Sequence, residues 1–181
     1  TEKIVPILER MEGAYSFVMM INNRIFAMRD PHGFRPLCIG KLDGGYIVAS
    51  ETCALDMVQA TYVRDVEPGE TIVIDNNGLA SLKKMAPRKH AHCIFENIYF
   101  ARPDSNIFTK SVYMARKSLG RTLAREHPVD ADFVMPIPDS GTYAALGYAE
   151  ESKLPLEMAL VRNHYIGRTF IQPSQLIRDF K

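Results

Sequence analysis

Cysteine is scarce in this 181-residue chain: three residues, Cys38, Cys53 and Cys93, with no CxxC pair among them. An odd set without paired spacing argues against a disulfide framework and against a self-contained zinc site. A surplus of one charge is also lacking, with 22 Lys and Arg against 21 Asp and Glu. That balance offers no basic surface for nucleic acid or anionic lipid, and it suits a small polar substrate better. No apolar run approaches the roughly 20 residues needed to cross a bilayer. The opening TEKIVPILER has no apolar h-region of a signal peptide, so a cytoplasmic setting without membrane contact is expected. Internal repeats and low-complexity segments are missing too. What is present is a globular composition, 46% hydrophobic and 24% charged, capable of burying a core.

The pattern changes near residue 88. From Ala14 to Leu79, short β runs alternate with turn residues. AYSFVMMI, Asn22-Asn23 and RIFAMR read as a hairpin, because Asn tolerates the positive φ angles of tight turns. GGYIVAS and ETIVID are further strands, and ETCALDMVQA is a short helix with Glu51 near its start. SLKKMAPRKHAH reads as a polar surface connection. Beyond it, KSVYMARKSLGRTLARE places Val112, Ala115, Leu119 and Leu123 on one helical face. DADFVMPIP then reads as a strand, GTYAALGYAEES as a helix and LPLEMALV as a second strand. Helix, strand, helix, strand is how a parallel doubly wound sheet begins. Two incomplete domains are therefore expected, over 1–88 and 89–181, the second continuing past Lys181.

Four segments carry candidate chemistry. Asp139-Ser140-Gly141 lies between an apolar strand and a helix, where free N–H groups suit an anion, although Asp and Ser also serve as plain helix caps. Residues 162–175, RNHYIGRTFIQPSQ, combine Arg162, His164 and Arg168 around Gly167, with Tyr165 and Phe170 as anchors, a composition suited to phosphate capture by a closing loop. RDPHGFRPL holds an Asp-Pro-His-Gly turn with Arg35 after it, and the plain reading pairs Arg35 with a carboxylate such as Glu51. Cys53 reads as a small buried hydrophobe. Cys93 stands beside His90 and His92, but adjacent residues in HAHC do not all point one way.

Several strings together, RDPHGFRPLCIG, ASETCALD, EPGE, IYFARPDS, PIPDSG and NHYIGRTFIQPSQ, resemble the amidophosphoribosyltransferases in the same order over essentially the whole chain. The resemblance implies a fold of α/β and α+β type. The later part of an N-terminal-nucleophile glutaminase domain would be followed by the start of a type I phosphoribosyltransferase domain. It also implies the activity of that family: ammonia released from glutamine displaces pyrophosphate from phosphoribosyl pyrophosphate, with Mg2+, in the first committed step of purine synthesis. Purine nucleotides are feedback inhibitors in the family, and its members form tetramers. Residue by residue, Arg162, Tyr165, Gly167, Arg168 and Thr169 match the family's flexible substrate loop, with Arg168 and Tyr165 foremost. Asp139, Ser140 and Gly141 match the turn beside the substrate's metal and phosphates. Gly141 replaces a Ser found in some members, and Arg162 and His164 stand where others have Lys and Arg. Cys93 matches the first of four ligands of a [4Fe-4S] cluster present in one branch.

The resemblance also implies what lies outside this chain. The family's nucleophile is an N-terminal cysteine, whereas residue 1 is Thr, and no pair of adjacent aspartates for the ribose occurs. No catalytic residue is therefore assigned within the chain, and the chain alone is expected to be inactive. Two rival readings are a thiol hydrolase built on Cys53 or Cys93, and a non-catalytic module that binds purine nucleotides.

Overall fold

A computed structural model describes residues 4–86, 88–163, 165 and 173–176, and everything below concerns these. It divides into two compact units, Thr1–Arg116 and Lys117–Lys181.

The first unit is built on two antiparallel sheets. A short helix α1, Ile4–Leu8, precedes strands β1, Ser16–Ile21, and β2, Arg24–Arg29. The hairpin between them turns on Asn22 and Asn23, both at positive φ (48° and 58°), as the Asn pair predicts. Strands β3, Cys38–Leu42, and β4, Gly45–Ala49, form the next hairpin; helix α2, Thr52–Met57, leads to β5, Thr61–Asp65. Strands β6, Glu70–Asp75, and β7, Gly78–Lys84, complete the set. The sheet orders are β1-β2-β6-β7 and β4-β3-β5.

Alternation along the strands explains the layering. Ala27 of β2, Ile72 and Ile74 of β6 and Ile39 of β3 share one core with Leu37 and Val66, so the two sheets face each other. The opposite side of the first sheet, Phe26, Met28 and Val73, packs with Leu8 and Tyr15. The opposite side of the second, Cys38, packs with Leu55 and Ala60 under α2. Helix, sheet, sheet, helix is the resulting order of layers. Each fully buried Ile, Leu or Val in it contributes about 1.5–3 kcal/mol. Gly40 lets α2 approach, because a Cβ there would stand 2.7 Å from Leu55 Cδ2. The polar connection proves shorter than expected: Ser81 to Lys84 pair with β6 as part of β7, and only from Met85 does the chain leave the sheet. β-pairing to a neighbour outweighed the polar composition.

Residues Glu96–Phe100 form a π-helix, followed by the two-residue strands β8, Asn106–Ile107, and β9, Lys110–Ser111. Helix α3, Val112–Glu126, begins in the first unit and ends in the second. Its expected apolar face holds only at the start, where Val112 is buried and Ala115 half-buried; Leu119 and Leu123 are 44% and 49% exposed. From Val112 onward the buried line runs through Arg116, Gly120 and Ala124, four apart.

In the second unit, helix α4, Thr142–Ser152, explains that choice. A Cβ on Gly120 would collide with the Ala144 carbonyl, and one on Gly147 with the Lys117 carbonyl. Glycines at the crossing bring the two backbones together, and contact on that side outweighs the leucines. Lys117 and Arg121 both pair with Glu150, and Arg125 pairs with Glu151. The two expected strands are reduced to one parallel bridge, Val134 to Leu156, in which Val134 N–H donates to Pro155 O (2.8 Å) and Glu157 N–H to Val134 O (2.9 Å). Pro136, Pro138 and Pro155 remove the donors that a longer ladder requires.

Because the crossing leaves no room for a Cβ, Gly120→Ala and Gly147→Ala are each expected to cost about 1–3 kcal/mol. Leu119→Ser should stay within about 0.5 kcal/mol. Urea denaturation of the chain reads both, and a Leu119→Ser variant destabilised as much as Gly120→Ala would contradict the packing described.

Candidate functional site

Arg29, at the end of β2, is 2% exposed. A buried cation needs its donors satisfied, and here three carbonyls serve. Nε donates to Arg35 O (2.8 Å), Nη1 to Val66 O (2.7 Å) and Nη2 to Gly33 O (3.1 Å). Burial lowers its pKa, while Asp65 and Asp30 oppose the fall. The turn that Arg29 grips is closed by Asp30, whose carboxylate accepts the N–H groups of His32 (2.9 Å) and Phe34 (3.1 Å). Gly33 takes a φ of 62°, and a Cβ there would stand 2.8 Å from Pro68 Cγ.

This turn aims Arg35 at Glu96 rather than at Glu51, correcting the pairing expected from sequence. Arg35 Nε lies 2.7 Å from Glu96 Oε1, and the guanidinium sits 4.4 Å from the centre of the Phe100 ring. Glu96 is 4% exposed. Burial raises its pKa above the ordinary 4.5, with Arg35 opposing the rise and Glu51 adding to it. Beside this pair lies a cavity of about 500 Å³ lined by Tyr15, Phe17, Arg35, Glu51, Glu96 and Phe100. Glu51 is engaged elsewhere: its carboxylate accepts Arg102 N–H and the Ser105 hydroxyl, each at 2.8 Å. Sequence reasoning missed Glu96. The available signal was a lone charge inside the apolar run IFENIYF, a pattern that calls for a buried partner.

The second candidate region lies in the second unit. Gly141 occupies the N-cap of α4, and no side chain caps it, so Asp139 and Ser140 are not plain caps. Gly141 N–H donates to Ile137 O (3.1 Å), and a Cβ on Gly141 would stand 2.7 Å from that oxygen. A side chain at Gly141 would therefore require the turn to shift. Asp139 is exposed, and Arg162 Nη1 lies 2.6 Å from its Oδ2. The fold thus joins two segments singled out separately, the turn at 139–141 and the start of the loop at 162. Tyr165 is fully exposed and its N–H donates to Asn163 Oδ1 (3.0 Å). His164, Gly167, Arg168, Thr169 and Phe170 lie outside the described residues.

The cysteines are scattered. Burial pushes the Cys38 thiol up to about 12, with Asp65 adding to the rise; burial also raises Cys53. Neither is poised as a thiolate nucleophile. Cys93 is half-buried, with its N–H donating to Phe34 O (2.9 Å). His92 stacks on Phe108, the ring centres 3.9 Å apart. Among the described residues no three His, Cys, Asp or Glu are grouped to hold a metal ion. No described helix is long and apolar enough to cross a membrane.

Comparison with known proteins matches the glutamine amidotransferase domain family to residues 1–57. The chain is 51% identical, over 98% of its length, to the chloroplastic amidophosphoribosyltransferase of Glycine max, of which it covers 32%. It is 50% identical over 99% of its length to the amidophosphoribosyltransferase of Rhizobium etli, covering 37% of that protein. For the enzyme of Archaeoglobus fulgidus the identity is 48%, over 97% of this chain and 39% of the relative. Among solved structures, glutamine phosphoribosylpyrophosphate amidotransferase from B. subtilis, complexed with ADP and GMP, superposes with a TM-score of 0.89. The identity is 47%, over 99% of this chain and 39% of that one. The chain spans about a third of the length of the curated relatives it matches.

Two expectations follow from the site. Iodoacetamide at pH about 8 should label Cys93 in the folded chain and spare Cys38 and Cys53, because burial hinders the thiolate; peptide mass mapping that finds Cys53 labelled first would refute the assignment. Because the folded pKa of Glu96 is raised, this group's stabilising contribution is full below 4.5 and is lost as pH rises through the folded value. Glu96→Gln, which mimics the neutral acid, should therefore gain stability relative to wild type between pH about 4 and 7; urea titrations showing the reverse trend would contradict the shift.

Proposed function

We propose, from the premise that this chain belongs to the amidophosphoribosyltransferase family by sequence and fold, that it serves in making phosphoribosylamine from glutamine and phosphoribosyl pyrophosphate. The observation that carries this reading is the colinear identity of about one residue in two over 98% of the chain, joined to a fold match of TM-score 0.89. It covers the glutaminase-like unit and the turn-and-loop region alike.

In the proposed reaction, water replaces the amide nitrogen of glutamine, giving glutamate and ammonia. The ammonia nitrogen attacks C1 of the phosphoribosyl group, the C–N bond forms as the C–O bond to pyrophosphate breaks, and the excess proton passes to solvent. This chain's share is binding and orientation. Arg162 meets the departing pyrophosphate, exchanging Asp139 for the ligand, beside the turn Asp139-Ser140-Gly141 at the start of α4. Tyr165, Gly167, Arg168 and Thr169 are proposed to close over the substrate and exclude water, which would otherwise compete with ammonia.

Magnesium would enter bound to the pyrophosphate oxygens, since one exposed carboxylate already paired with Arg162 does not make a protein cage for it. For an iron-sulfur cluster, Cys93 is the one thiol this segment would offer, the other three ligands being expected elsewhere in the complete protein. The ADP and GMP bound to the B. subtilis relative support purine nucleotides as ligands of this protein too, with inhibition as their proposed effect. A cytoplasmic setting and a tetrameric assembly complete the proposal.

In the complete protein carrying this segment, glutamine-dependent release of pyrophosphate from phosphoribosyl pyrophosphate is expected. Arg162→Ala should raise KM for that substrate about tenfold or more, as loss of a charge-assisted hydrogen bond implies, and leave glutamine hydrolysis unchanged. Absence of glutamine-dependent pyrophosphate release would overturn the reading.

A further inference from the structure

The turn between β6 and β7 carries the one Asn-Gly pair of the sequence, Asn77-Gly78. Asn76 and Asn77 join Asp75 to its ladder partner Gly78. Asp75 Oδ1 accepts the Asn77 N–H (2.8 Å), an Asx turn that closes the loop. Gly78 then takes a φ of 107°, a conformation that residues with a Cβ rarely adopt. The hairpin thus accounts for both residue types, Asn for the tight turn and Gly for the exit from it. The same pairing sets a carboxamide directly before a glycine nitrogen.

Asparagine is one of the thermally labile residues, and three features concentrate that lability at Asn77. It is exposed to water. The nitrogen that follows it belongs to a residue without a Cβ, so no side chain hinders approach of that nitrogen to the carboxamide carbon. Nor is there a rival of the same chemistry in the unit's other hairpins. Asn22 and Asn23, at the tip of the β1–β2 hairpin, are exposed as well, but the residues after them are Asn23 and Arg24, each with a Cβ beside the attacking nitrogen. Asp43-Gly44, in the β3–β4 turn, has the glycine, but an ionised carboxylate is a poor electrophile and has no ammonia to lose.

We propose that Asn77 is a site of spontaneous deamidation, and that the isoaspartate formed there weakens the β6–β7 pairing. The Gly78 nitrogen, its proton taken by hydroxide, bonds to Cγ of Asn77; the Cγ–Nδ2 bond breaks, and that nitrogen leaves as ammonia after taking a proton from water. Water then opens the resulting succinimide. Cleavage of the new Cγ–N bond leaves aspartate, whereas cleavage of the original peptide C–N bond leaves isoaspartate, whose main chain runs through Cβ and Cγ. The net change is water in and ammonia out, with no oxidant or reductant. The methylene that isoaspartate adds to the main chain falls between Asp75 and Gly78, and a two-residue turn that sets the register has no slack to absorb it. Ile74 and Leu79, the next pair of the ladder, are part of the core between the sheets or packed against it, so the disturbance reaches buried side chains.

The complete protein, incubated in mildly alkaline buffer and digested with trypsin, tests this through the peptide spanning residues 65–83. Its mass should rise by the exchange of NH2 for OH, with fragment ions placing the change on Asn77. Asn22 and Asn23 should change about tenfold more slowly or less, the effect of about 1.4 kcal/mol on a barrier. Gly78→Ala should slow the gain by a similar factor, and Asn77→Gln should abolish it. An isoaspartyl methyltransferase supplied with S-adenosylmethionine then marks the isoaspartate. Asn77→Asp should keep the wild-type urea midpoint, whereas protein enriched in the marked form should unfold at lower urea, because isoaspartate alone lengthens the main chain. No mass gain at Asn77, or a gain at Asn22 or Asn23 equally fast, overturns the modification site. An aged, marked protein as stable as the Asn77→Asp variant overturns the effect on the hairpin.

Discussion

The buried guanidinium of Arg29 is the constraint on which the first unit depends. A cation enclosed between two sheets has no water to satisfy it, so the chain must deliver oxygen atoms to it. It does so with three backbone carbonyls, from Gly33, Arg35 and Val66. That demand closes the turn after β2 and holds the chain just before β3 against the end of β5. Arg35, next in line, is then aimed at Glu96, and the pair ties the turn to the π-helix.

A similar principle recurs wherever the unit's segments meet. Arg116 satisfies carbonyls at the end of the π-helix, and Glu51 satisfies donors of the loop that starts α3. Polar atoms removed from water are costly unless paired, and the asymmetry between a paired and an unpaired buried group makes these contacts specific rather than merely adhesive. The exposed pair of Arg102 with Asp104 is of another kind; a surface contact of that sort contributes little to stability. The exposed pair of Arg162 with Asp139 is equally weak, and weakness is useful there, because a cation proposed to meet pyrophosphate must leave its resting partner readily.

Much of the fold was legible. The Asn22-Asn23 hairpin, α2, α4 and the strands β4 and β6 followed from turn chemistry and periodicity. Less legible were elements whose fate depended on a distant neighbour. Ser81 to Lys84 look like a loop until β6 offers them hydrogen bonds. Leu119 and Leu123 look like a core-facing pair until Gly120 shows where α4 crosses. The strands around Val134 and Leu156 were expected from their apolar character, but three prolines limit their pairing to a single bridge. At the site, Asp139 and Arg162 were recognised separately, and their contact was not foreseeable from spacing.

By itself the sequence determined the antiparallel, strand-rich character of the first unit, its Asn-Asn hairpin, the main helices and the family resemblance. These rest on local chemistry: side-chain period, turn-forming residues and runs of motif. Tertiary structure alone decided which carboxylate Arg35 meets, what Glu51 and Ser105 hold, and which face of α3 is buried. Each of those outcomes joins residues far apart in the chain, and desolvation and close backbone approach select among partners that the sequence leaves equivalent.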